Sequence, residues 1–148
     1  MITPSLLKLR PWKPRDVYFC LKVRNDPRLY RWFRQDKEIT LAEQLEFMQT
    51  NTNYNGQVIE YDGISVGLCA VRKDTKEFSI AILPEWQGCG IAKEVMKRLG
   101  PCWSEVFATN PALGFYLSKC GFKVTGVKEK HYFKKGIGLV DTVRIQRG

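Results

Sequence analysis

The sequence predicts a mixed α/β fold in a single domain, residues 1–148, and three observations carry that reading. Apolar residues recur at helical spacing in four separate stretches. Between them lie short β-branched and aromatic runs bounded by Gly, Pro, Asn and Asp. Hydrophobic residues make up 44% of 148, enough for one core and too short a chain for two.

Taken in order, Leu6 to Pro11 reads as a first strand. Pro14-Arg15-Asp16 opens a helix with Val17, Cys20, Leu21 and Arg24 on one face, stopped by Asn25-Asp26-Pro27. Thr40-Leu41-Ala42-Glu43 is a capping box, in which hydroxyl and carboxylate satisfy free backbone donors. The buried stripe expected of that helix is Leu41, Leu45 and Met48, and Asn51 to Gly56 is expected to be a loop. Gln57 to Tyr61 and Ile64 to Arg72 flank Asp62-Gly63, a two-residue hairpin turn whose central positions both need φ > 0. Lys76 to Leu83 completes a three-stranded meander. Ile91, Ala92, Val95, Met96 and Leu99 share a helical face opposite Lys93, Glu94, Lys97 and Arg98.

Trp103 to Ala108 is the next strand, and Asn110-Pro111 starts a helix with the stripe Leu113, Tyr116, Leu117 and Cys120, closed by Gly121. Phe122 to Phe133 and Leu139 to Gln146 form a closing hairpin around Lys134-Lys135-Gly136. The element order is β-α-α-β-β-β-α-β-α-β-β.

The net charge is +9, and between Lys119 and Lys135 six lysines face only Glu129. That balance suits a polyanion: nucleic acid, a phosphorylated small molecule or a phosphate-bearing cofactor. Five cysteines without a C-x-x-C pair, and His131 as the sole histidine, argue against zinc, a disulfide framework and histidine-based triads. No apolar run approaches a bilayer span, and Met1-Ile2-Thr3-Pro4 does not open a signal segment, so a cytoplasmic protein away from membranes is expected.

The chemistry sits in Ile80 to Ala92, "IAILPEWQGCGIA": a strand, a turn with Gly88 and Gly90, and a helix starting at once. A helix start offers unpaired N–H groups and a partial positive charge, and glycine lets an anion approach the backbone. The segment reads as a pyrophosphate cradle.

Gln87, Gly90 and Ala92 resemble motif A of the GNAT acetyltransferases, [Gln/Arg]-x-x-Gly-x-[Gly/Ala]. The later strand "SEVFATN" and helix "NPALGFYLSKCGF" are similar to that family's second element, and the likeness extends over nearly the whole chain. It implies a GNAT fold: a mixed central sheet of about six or seven strands, splayed between the fourth and fifth, with helices on both faces. It also implies acetyl-CoA as cosubstrate and N-acetyl transfer to a primary amine by direct attack in a ternary complex. Pantetheine would pair with the backbone of Ala81, Ile82 and Leu83, with an amide near Ile82 or Leu83 stabilising the oxyanion. Pyrophosphate would rest on Gln87, Gly88, Cys89, Gly90, Ile91 and Ala92, and Asn110 would cap its helix and bond the pantetheine arm.

Two proton tasks remain. By the same resemblance Glu105 is the base, with Glu77 in reserve. The family's acid is a tyrosine seven residues past the asparagine. That position is Leu117 here, so the role falls to Tyr116, one residue early and about 100° away around a helix. Arg24 and Asn25, with Trp32 and Phe33 between the first two helices, are the expected acceptor-binding residues, suited to a planar anion. The acceptor itself (amino sugar nucleotide, protein or another anionic amine) stays open, as does monomer against homodimer. A basic nucleic-acid-binding module and a CoA-binding sensor without turnover are the alternatives.

Overall fold

The computed structural model describes residues 1–148. Strand β1 (Leu7–Pro11) leads through a 3₁₀ turn into α1 (Val17–Arg24). The turn is fastened where Arg10 forks onto the Asp16 carboxylate (2.8 and 2.9 Å), which also accepts from Lys13 N–H. Asn25-Asp26-Pro27 ends α1 as expected, yet the same residues start another short helix, α2 (Pro27–Tyr30). Asp26 caps it by accepting from Arg28 N–H, and proline fits the first helical position because no N–H is needed there.

Helix α3 (Leu41–Thr50) starts at the expected capping box. Its inner face differs from expectation. Leu41 is exposed, and the deepest residue is Gln44, 1% exposed, whose amide oxygen accepts from Arg24. Strand β2 (Tyr54–Tyr61) begins within the expected loop, because Tyr54 to Gly56 still pair with Ala70 to Arg72. Gly56 is required there: a Cβ would sit 2.0 Å from the Trp12 ring. The turn to β3 (Ile64–Arg72) has φ +50° at Asp62 and +80° at Gly63, as the hairpin demands.

Strands β1-β2-β3-β4 form one antiparallel sheet, with β4 spanning Phe78–Ile82. After α4 (Ile91–Arg98), strand β5 (Cys102–Phe107) starts a second antiparallel sheet in the order β5-β7-β6. Helix α5 (Ala112–Lys119) comes between, and β6 (Lys123–Lys134) and β7 (Gly138–Arg147) close the chain. The seven strands match the expected number. The splay between the fourth and fifth is complete enough that a single parallel bridge, Glu77 to Trp103, joins the sheets. Helices α1 and α2 pack Cys20, Val23 and Leu29 on one face of the first sheet. Helix α4 packs Ile91 and Val95 on the other. Helix α5 seals the second core with Tyr116 and Cys120 against Phe78 and Phe122. Leu117, placed on that apolar stripe by its spacing, is exposed. No helix is long and apolar enough to cross a membrane.

Candidate active site

Two cavities meet in the splay. The larger, about 860 Å³, opens on the side of α1 to α3. The smaller, about 390 Å³, runs along the β4–α4 turn. Trp32, Phe33, Ile80, Ala81, Asn110 and Tyr116 line both and mark the junction.

The register of β4 decides which backbone groups reach that junction. Leu83 N–H donates to Val66 O at 2.9 Å, and antiparallel alternation turns Ala81 toward β3 as well. Ile80 and Ile82 turn the other way, to the open edge where Lys76 O accepts from Trp103 N–H. This corrects the sequence expectation. The backbone of Ala81 and Leu83 is spent inside the sheet, and Ile80, not singled out from sequence, supplies free edge groups. The Ile82 carbonyl is taken by Gln87 Nε2 at 2.9 Å, leaving its N–H open. No sequence signal fixes this parity, since it depends on which β3 residue stands opposite.

The turn that follows carries six main-chain N–H groups, Gly88 to Lys93, with no acceptor in the protein. Gly90 caps α4 with φ +99°, and Gly88 has φ +79°, conformations that side-chain-bearing residues rarely adopt. Gln87 is the exception among the expected cradle residues: its N–H donates to Pro84 O (3.2 Å), and its side chain braces the turn. The Cys89 thiol points back to Trp86 O (3.0 Å), so only its backbone faces outward. Arg98 is spent on the carbonyls of Leu7 and Pro4, whereas Lys93 lines the cavity.

Glu105 lies on the β5 edge in the larger cavity. Arg34 meets its carboxylate at 2.6 Å, with His131 at 3.5 Å and Lys128 at 3.6 Å. Burial raises its pKa, but Thr142 and these cations outweigh that and hold the carboxyl below its ordinary value. A bulge in β6 between Lys128 and Tyr132, with Lys130 at φ +44°, turns His131 onto it. Glu77 lines the same cavity without an ion pair, but on the closed side of the splay, at the Trp103 bridge.

Tyr116 is 7% exposed, its ring edge-on to Phe78 and Phe122. Burial pushes its phenol pKa up, so it stays protonated at any working pH. Its hydroxyl takes no protein partner, and the residue lines both cavities. Asn110 Oδ1 accepts from Ala112 N–H (2.9 Å), the expected cap, its side-chain NH₂ takes no protein partner, and the residue lines both cavities.

Of the expected acceptor residues, Trp32 and Phe33 stand at the junction and Arg24 in the larger cavity. Asn25 does not reach either. Its amide donates to Ile39 O (2.9 Å) and accepts from Ile39 N–H (2.7 Å), so it is a loop fastener. The residue that sequence reasoning missed is Lys134, 3% exposed. Its ammonium donates to the carbonyls of Tyr30 (3.0 Å), Phe33 (2.7 Å) and Gln35, clasping the Trp32–Phe33 loop to the closing hairpin.

Comparison with known proteins bears on the fold and the family. Residues 52–124 match the model of the acetyltransferase (GNAT) domain. A spermidine N-acetyltransferase from Vibrio cholerae, solved with CoA and spermine, superposes with a TM-score of 0.84 at 20% identity, over 97% of this chain and 95% of that one. A Salmonella typhimurium acetyltransferase that modifies the N-terminal serine of a ribosomal protein gives 0.80 at 16% identity, over 99% and 97%. A putative acetyltransferase from the same organism, holding acetyl-CoA, gives 0.79 at 18%, over 95% and 92%. No curated protein sequence matches significantly. Residues 52–124 thus match an acetyltransferase (GNAT) domain, and the chain as a whole shares the fold of acetyltransferases solved with CoA or acetyl-CoA.

Proposed function

We propose that this enzyme moves an acetyl group from acetyl-CoA to a primary amine, with donor and acceptor bound together and meeting at the junction of the two cavities. The observation that carries this reading is the run of six unpaired amides, Gly88 to Lys93, beside an open β4 edge. Such amides at a helix start favour an anion, and CoA brings a diphosphate joined to an amide-bearing arm. The arm would add along β4 through Ile80 and Ile82, with the Asn110 NH₂ as a further donor. Ile82 N–H is the free amide for the thioester oxygen, since Leu83 N–H is already used.

Glu105 serves the acceptor. An incoming ammonium replaces Arg34 at the carboxylate, an exchange that costs little because Arg34 is half exposed and such pairs contribute about 0–1 kcal/mol. Glu105 then receives the proton and relays it to water. Its lowered pKa keeps it ionised through the neutral range, so the rise of rate with pH follows deprotonation of the substrate amine. Tyr116, protonated throughout, donates a hydrogen bond to the departing sulfur. No nucleophilic side chain is required, in keeping with a protein that has one histidine.

The test is calorimetry with CoA, followed by thiol release from acetyl-CoA across a panel of amines. Binding with amine-dependent thiol release is expected. Absence of CoA binding contradicts the reading, and binding without turnover by any amine points to a sensor.

A further inference from the structure

We propose that the acceptor amine also carries an oxyanion, carboxylate or phosphate, that docks on the Arg24 guanidinium. This deepens the acetyl-transfer reading and rests on it. Arg24 projects from the end of α1 into the larger cavity, partly buried, with burial pulling its pKa down. Of its five N–H donors one is used, Nη1 to Gln44 Oε1 at 2.9 Å. Its guanidinium lies 5.4 Å from the centre of the Phe47 ring, and no carboxylate lies within ion-pair distance. Glu43, the nearest acid on α3, is held by the Thr40 cap.

A partly desolvated cation with open donors is costly unless something completes it. The fork geometry of arginine selects a carboxylate or a phosphate. The other charges in the cavity point the same way. Asp36 is tied to Lys134 (3.6 Å) and to Lys135 N–H, and Glu105 to three cations. Lys37 is a second cation there without an acidic partner, against Glu77 as the one unpaired acid. Trp12 meets Phe47 edge to face and Tyr54 packs on Phe47 at a tilt, beside Arg24, offering a wall for an apolar or planar body. A polycation is disfavoured by that balance, so the acceptor differs in charge from the spermine found in the Vibrio cholerae relative.

The experiment uses CoA-saturated protein, so that the turn at Gly88 to Lys93 is filled. Benzoate and inorganic phosphate are added separately, and thermal midpoints are compared for wild type, Arg24→Gln and Arg24→Lys. At ten times the dissociation constant, at least one probe is expected to raise the wild-type midpoint by about 3 °C, with the gain lost in Arg24→Gln and partly kept in Arg24→Lys. Which probe acts distinguishes carboxylate from phosphate. In thiol release, tyrosine against tyramine and phosphoethanolamine against ethanolamine are the matched pairs, with spermidine as polycation. One anionic member is expected to be favoured about tenfold, a preference that Arg24→Gln removes. Equal midpoint shifts in wild type and Arg24→Gln, no shift with either probe, or spermidine as the best acceptor would overturn the proposal. Loss of CoA binding in wild type, visible before any probe is added, would instead overturn the acetyl-transfer reading.

Discussion

The two cavities are built from different materials. The smaller is made of main chain: the amides of Gly88 to Lys93 and the edge groups of Ile80 and Ile82. The larger is made of side chains: Arg24, Arg34, Glu105 and an aromatic row, on a loop clasped by Lys134. A site made of amides tolerates change in most side chains but not in the few glycines that shape it. A site made of side chains can be re-specified by single substitutions while the fold stays intact. Donor is therefore read by backbone and acceptor by side chains.

Single substitutions can disturb one cavity and spare the other. Glu105→Gln should lower kcat/KM for the acceptor by about a hundredfold or more while CoA affinity holds. Its pH profile should keep the limb set by the substrate amine. A limb that moves with the substitution would make Glu105 the titrating group. Gly90→Val should do the reverse. A β-branched residue at φ +99° is strained, and CoA binding measured by calorimetry should weaken about tenfold. Tyr116→Phe should lower kcat about tenfold, yet leave denaturant stability within about 0.5 kcal/mol, because the hydroxyl bonds to nothing in the protein. A large stability loss would make it a packing residue alone.

Asp16→Asn is the control that should disturb neither cavity. It breaks the Arg10 fork and should cost about 1 to 2 kcal/mol at neutral pH. The hydrogen bond from Arg10 depresses the native pKa of Asp16 below 3.8. Its stabilisation is therefore present above that value and is lost as pH falls through the native pKa. The difference from wild type should vanish in acid unfolding.

The main-chain site was the more legible half. Asp62-Gly63 and the Gly88–Gly90 turn announce themselves because left-handed backbone geometry leaves few residue choices. Gln87 shows the limit: its motif position was readable, but that its own amide is spent on Pro84 was not. The parity of β4 was hidden too, since register belongs to two strands and the sequence displays one. The side-chain site depended on long-range partners. Lys134 lies about a hundred residues from the loop it holds, and nothing local marks it off from its lysine-rich neighbours. Its burial also shows that part of the basic segment serves internal bonds, as Lys128 does at Glu105. Asn25 is expected at the acceptor because it stands beside Arg24 between the first two helices, yet its amide matches the Ile39 backbone instead.

Amide NMR of the protein titrated with CoA reads each backbone amide separately. Large shifts and slowed hydrogen exchange are expected at Gly88 to Lys93, with exchange at Gln87 and Leu83 unchanged because those amides are already bonded. Exchange at Gly88 to Lys93 that is slow without CoA, or unaltered by saturating CoA, would contradict a diphosphate site at that turn.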